Sequence, residues 1–175
     1  MTDRLTLLAL AAAEGDDRAL ADLVRLTQDR VQRLCAHLGS PADADDLAQE
    51  TYLRALRTLP RFRADAPVEV WLLSIARHVC ADHVRRKVRR SEIDRRVRPR
   101  ERVATPDHSG ELWDLVGGLD HEQREAFVLT QFLGLTYQEA ADVCGCPVGT
   151  IRSRVARARM ALLAQLAATD RDVTA

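Results

Sequence analysis

Apolar residues recur along most of this chain at three- and four-residue intervals, the period of helices that bury one face. Residues 5–13 predict a short helix that breaks at Gly15. Asp16 or Asp17 then caps a long helix to Leu38, with Leu20, Leu23, Val24, Val31, Leu34 and Leu38 on its inner side. Gly39 ends it. Ser40-Pro41 reads as an N-cap followed by a first-turn proline, opening a third helix over 42–59. Its early Asp43, Asp45 and Asp46 suit the positive end of a helix dipole. Residues 60–67, bounded by prolines, form a loop that holds Phe62, Arg63 and Asp65. A fourth helix follows over 68–88, amphipathic through Trp71, Leu72, Ile75, Val79 and Val84.

There the periodicity stops. Residues 89–110 are polar and arginine-rich, carry Pro99 and Pro106, and predict a flexible linker. From Glu111 an apolar stripe resumes at Leu112, Leu115 and Leu119. Asp120 caps a helix through Leu133, and Gly134 leads into a last pair of helices. The expected fold is all-α: two small helical domains, 1–88 and 111–175, joined by a flexible basic linker. The second is a four-helix domain that ends in a helix-turn-helix.

That last pair is written out with its caps. Thr136 and Glu139 form a T-x-x-E capping box, Cys144-Gly145-Cys146 makes the turn, and Pro147 restarts helix. At about 100° per residue, Ile151, Val155, Ala158 and Leu162 fall on one apolar stripe. Arg152, Ser153, Ala156 and Arg157 project to the other side, while Arg154 and Arg159 flank the stripe. No acid occurs from Val148 to Thr169. A short cationic helix of this kind suits the major groove: arginine reads guanine edges, small residues allow close approach, and flanking arginines meet phosphates.

Composition sharpens the picture. The net charge is zero, yet residues 1–56 carry −4 and residues 85–104 carry +7, so different segments face different partners. Aromatics make up only 4%, in keeping with cores of Leu, Ala and Val. A single lysine among 26 basic residues points to a GC-rich genome. No targeting segment and no apolar run near the ~18 residues of a membrane span is present, so a cytoplasmic protein with reduced thiols is expected. Cys144-x-Cys146 is too tightly spaced for a structural zinc site, and no metal or other cofactor is expected. No phosphate-binding glycine loop, HExxH or Gly-x-Ser-x-Gly occurs, which argues against an enzyme.

Three segments together carry a family resemblance. Asp46-Leu-Ala-Gln-Glu-Thr-Tyr-Leu-Arg-Ala55 resembles the polymerase-binding segment of bacterial sigma factors. Phe62-Arg63 followed by Trp71-Leu-Leu-Ser-Ile-Ala-Arg-His78 resembles their promoter-melting segment. Residues 137–159, with Cys146-Pro-Val-Gly-Thr-Ile-Arg-Ser-Arg154, resemble their reader of the upstream promoter element. The three occur in order over nearly the whole chain, and in a chain of this length they resemble the extracytoplasmic-function (ECF) group of the sigma-70 family.

The resemblance implies a protein that binds core RNA polymerase through its β′ and β subunits, directs it to promoter DNA and helps to open the duplex. Asp46, Leu47, Gln49 and Glu50 would dock on the β′ coiled coil. Residues 62–69 with Trp71, Arg77 and His78 would trap a flipped −10 base, although Trp71 also lies on the apolar stripe and is better placed for the core. His78 stands where some relatives carry Asn. Phe62, Arg63, Arg85, Arg86 and Lys87 would complete the −10 contacts, with Arg77, Arg85, Arg86 and Lys87 on phosphates. Thr150, Arg152, Ser153, Arg154, Arg157 and Arg159 would meet the −35 element. An anti-sigma factor is a further partner that the resemblance allows, and no extra C-terminal domain is expected. The competing readings are a helix-turn-helix regulator that acts without replacing a sigma factor, and a protein that sequesters a regulator.

Overall fold

The structure, a computed structural model, describes residues 3–97 and 115–173, with side chains to Arg90 and, in the second segment, to Ala167. The chain divides into two compact units, Met1–Pro106 and Asp107–Ala175. Every regular element among the described residues is helical.

In the first unit, α1 (Arg4–Ala13), α2 (Asp17–Leu38), α3 (Ala44–Thr58) and α4 (Val68–Val97) are joined by short 3-10 turns at Pro41–Asp43 and Leu59–Arg61. Asp3 and Asp16 cap the first two helices, each carboxylate accepting from main-chain N–H groups one turn on. Ser40 and Asp43 make no such side-chain bond, and proline and the dipole mark that start instead. Helix α2 is the central element, packed against the other three. Its predicted stripe is inside at Leu23, Val31, Leu34 and Leu38 and half-buried at Leu20 and Val24. Two buried threonines extend the core: Thr27 and Thr51 donate to carbonyls one turn back, each at 2.7 Å. Cys35 and Cys80 fill space between α2 and α4, and Cys80 holds the Cys35 thiol below its ordinary pKa.

Gly39 ends α2 for want of space. Its φ is −98°, which any residue adopts, but a Cβ there would strike Leu47 Cδ1 and lie 2.8 Å from the Cys35 carbonyl oxygen. Helix α4 passes the expected end at Val88 and continues to Val97, placing Arg89 and Arg90 on the same cationic helix as Arg85–Lys87. The rest of the expected linker, 98–110, lies outside the described residues.

In the second unit, residues 115–117 are helical, and α5 (His121–Phe127), α6 (Tyr137–Cys144) and α7 (Val148–Val173) follow. Of the expected Leu112, Leu115 and Leu119 stripe, Leu112 lies outside the described residues; Val116 and Leu119 are the buried pair. The helix from Asp120 to Leu133 is not uniform: Val128–Phe132 forms a π turn, closed by Leu133 N–H donating to the Val128 carbonyl at 3.0 Å. Thr130 sits in that turn, its hydroxyl donating to the Ala126 carbonyl at 2.7 Å, the group an α-helical ladder would have used. Helix α7 packs against both α5 and α6 and forms the spine of the unit.

Candidate functional site

Three surfaces emerge, each fixed by a core on its far side. The first is on α3. Asp46, Gln49, Leu53 and Leu56 recur at helical spacing along one exposed stripe, with Leu53 45% exposed. Asp45 beside them accepts from Gln32 of α2. Leu47 is a correction to the sequence reading: it is 5% exposed and packs towards Gly39, so its side chain is not offered to a partner. Leu53 and Leu56 are the leucines this helix does expose, and helical phase is the signal for them. Leu47 lies about 100° round the helix from Asp46, whereas Leu53, seven residues on, returns almost to its phase. Glu50 is half-buried and engaged within the chain. It accepts from Arg54 Nε at 2.7 Å, Arg54 Nη1 reaches Asp82 of α4 at 3.0 Å, and Asp82 in turn holds Arg85 at 2.5 Å. Arg54 and Arg85 keep the Asp82 carboxyl below the usual carboxylate range.

The second surface joins the 62–67 loop to α4. Phe62 and Trp71 meet at 5.1 Å between ring centroids and 45° between planes. Both are partly buried against Ala9, Leu23, Leu59 and Val68, so Trp71 belongs chiefly to the core and Phe62 anchors the loop beside it. Arg63 is exposed, and Ala64 adopts φ +58°, a left-handed conformation that L residues rarely take. One helix face further on, Arg77 is half-buried and His78 exposed. His78 Nδ1 lies 2.6 Å from the Ser74 carbonyl. A carbonyl only accepts, so Nδ1 carries a proton, and Nε2 of the exposed ring is the nitrogen left for a partner. Beyond it, Arg85, Arg86, Lys87, Arg89 and Arg90 are all exposed. Arg86, Lys87, Arg90, His83 and Asp43 line an open cleft of about 320 Å³, with His83 Nε2 3.2 Å from Asp43.

The third surface is the helix-turn-helix. Thr136 Oγ1 accepts from Glu139 N–H at 3.2 Å while Glu139 Oε2 accepts from Thr136 N–H at 2.8 Å, the capping box read from sequence. Gly145 closes α6 at φ +63°. On α7, Ile151, Val155, Ala158 and Leu162 are buried, and Arg152, Ser153, Ala156 and Arg157 are exposed, as the phase predicts. Thr150 is half-buried, its carbonyl accepting from Ser153 Oγ at 2.9 Å. The flanking arginines differ. Arg159 is exposed and donates to Gln131 at 3.0 Å. Arg154 is 15% exposed, pairs with Glu122 of α5 at 2.7 Å and reaches Cys146 Sγ at 3.8 Å. Further along α7, Met160, Leu163 and Leu166 form an exposed apolar stripe that sequence reasoning passed over.

Among the described residues no group of His, Cys, Asp or Glu is arranged to hold a metal, and no helix is long and apolar enough to cross a membrane. A cationic helix-turn-helix in one unit and an acidic-apolar helix beside a cationic one in the other suit a protein that meets both nucleic acid and a protein partner. The comparisons agree. Residues 23–90 match the family described as Sigma-70 region 2, and residues 109–173 match Sigma-70, region 4. The ECF RNA polymerase sigma factor SigC of Mycobacterium tuberculosis is 49% identical over 96% of this chain and 94% of its own. The structure of CnrH in complex with the cytosolic domain of CnrY is 32% identical, covers 93% of this chain and 96% of that one, and superposes with a TM-score of 0.73. RpoE of Bartonella quintana, in complex with the anti-sigma factor NepR, is 27% identical over 84% and 96%, with a TM-score of 0.71. The chain belongs to the ECF group of the sigma-70 family: it binds core RNA polymerase and directs it to promoters.

Proposed function

We propose that the three surfaces divide the work of initiation among them. The α3 stripe of Asp46, Gln49, Leu53 and Leu56 docks on the β′ coiled coil, Asp46 steering a basic partner surface and the leucines supplying apolar contact. The 62–67 loop and His78 hold one flipped base of the −10 element. Arg63, Arg77, Arg85, Arg86 and Lys87 meet the phosphates around it, with Arg89 and Arg90, exposed further along α4, added to them. Arg152, Ser153 and Arg157 read −35 base edges, Arg159 meets phosphate, and Arg154 positions α7 on α5 through Glu122. The exposed Met160, Leu163 and Leu166 stripe suits an apolar patch on the β subunit. The observation that carries the reading is on α7, where an arginine face stands opposite a buried stripe in a capped helix-turn-helix. Because the B. quintana relative is captured by an anti-sigma factor, the same kind of partner is proposed for this chain.

In vitro transcription tests the whole. Added to purified core polymerase, the chain should start transcripts at discrete sites on promoters mapped for it. A regulator that leaves sigma factors in place would give none with core alone.

The −10 assignment has its own test. His78→Ala removes the outward Nε2 without touching the core, so preference at one −10 position should relax by about 1–3 kcal/mol while other positions hold. Permanganate footprinting on promoters varied at each −10 base measures it. An equal loss at every base would make His78 a structural residue.

A further inference from the structure

Helix α4 begins in an unusual way. The first N–H groups of any helix lack intrahelical partners and are commonly satisfied by a side chain at the preceding position. Here that position is Pro67, whose ring can accept nothing, and Val68 is 0% exposed, so water does not serve either. The partner comes from 62 residues away. Thr6 of α1, itself buried, accepts the Val68 N–H at Oγ1, at 3.1 Å. The same hydroxyl donates to Asp3 Oδ2 at 2.9 Å, and Asp3 Oδ1 accepts from Thr6 N–H at 2.9 Å. The hydroxyl is therefore oriented: its one proton is committed to Asp3, which leaves a lone pair for Val68.

Helix α1 also floors the loop that ends at this junction. Leu5, Leu8, Ala9, Ala12 and Ala13 pack with Leu59, Phe62, Val68 and Trp71 in one apolar cluster. The loop is thus held at Phe62, which stacks on Trp71, and at Val68, which is tied to Thr6. Between the two, Ala64 is kept at φ +58°, a conformation that persists only where the surroundings impose it. Residues 4–13 lie ahead of the residues 23–90 that match the region 2 family.

We propose that the Asp3–Thr6 couple is a positioning device for promoter opening: it fixes the N-terminus of α4 and with it the shape of the 62–67 loop that receives the flipped base. Neither residue touches DNA. The couple acts through Val68 and the loop, and it rests on the reading of that loop as the base pocket.

The test uses the full chain with core polymerase and separates initial promoter binding from the rate of opening, read by permanganate reactivity. Thr6→Val keeps the shape but leaves Val68 N–H without an acceptor, and opening should slow about tenfold while affinity for core stays within twofold. Thr6→Ser restores the hydroxyl and should restore the rate. Asp3→Asn, at an exposed N-cap, should slow opening in the same direction by a smaller factor. Loss of core affinity in parallel with opening, or a Ser variant no better than Val, makes Thr6 a general stabiliser and overturns the proposal. Arg63→Ala and Asp65→Ala, in the exposed loop, keep the two readings apart. If they alter −10 preference while Thr6→Val opens at the normal rate, the couple is idle and the pocket stands. If neither loop nor couple affects opening, both fall.

Discussion

Leu53→Asp is expected to weaken binding to core RNA polymerase by about 30-fold or more, roughly 2 kcal/mol, without loss of helical content. Leu53 is half exposed on α3, flanked along one stripe by Asp46, Gln49 and Leu56, so its removal takes nothing from the core of the unit. An apolar anchor near the centre of an interface carries more affinity than rim charges, which act mainly on association rate and salt dependence. Asp46→Lys should accordingly cost less and should lose its effect as salt rises. Glu50→Lys is a less clean probe, since it also breaks the chain of contacts through Arg54 to Asp82 and Arg85. Equilibrium competition for labelled core polymerase at two salt concentrations, with urea unfolding alongside, measures all three. Leu53→Asp binding core as the native chain does would move the docking surface off this stripe.

The contrast between Leu47 and Leu53 shows what could be read without coordinates. Both lie in the segment that resembles the polymerase-binding helix, and helical phase separates them, because Leu47 faces inward whenever Asp46 faces out. The α7 faces were legible for the same reason: period, capping box and αL glycine agree there, and each is a local property of ten or twenty residues. Trp71, which the family resemblance assigns to the −10 site and the apolar stripe to the core, packs partly buried on the core cluster. Contacts between distant segments left no such trace. Glu122 lies 32 positions before Arg154, and nothing in the arginine's phase shows that it is paired and largely covered. Thr6 looks like any other residue of a short helix until Val68 arrives beside it. The extension of α4 to Val97 escaped for a different reason: residues 89–97 lack an apolar period, and their helix continues one already nucleated by a packed segment.

Arg157→Ala is expected to cost about 1–3 kcal/mol in affinity for the preferred −35 element and to relax selectivity at one base position. Arg157 is exposed on the face of α7 opposite Ile151, Val155 and Ala158, the face a groove-bound helix turns towards base edges. Bidentate pairing to a guanine is worth that much because both bonds vanish together when the base is changed. Arg159 stands two residues on, beside the buried stripe, and donates to Gln131 from its own unit. That tether holds it at the edge of the helix and supports the proposed assignment to a backbone phosphate rather than a base edge. Arg159→Ala should therefore weaken every −35 variant alike and flatten the dependence of log affinity on log salt by about one unit of slope. Affinities for a panel of single-base −35 variants, each at two salt concentrations, separate the two roles. Should Arg159→Ala change base preference while Arg157→Ala shifts only the salt slope, the two faces of α7 have been exchanged. The helix would then enter the groove rotated towards Gln131 rather than along Arg152 and Arg157.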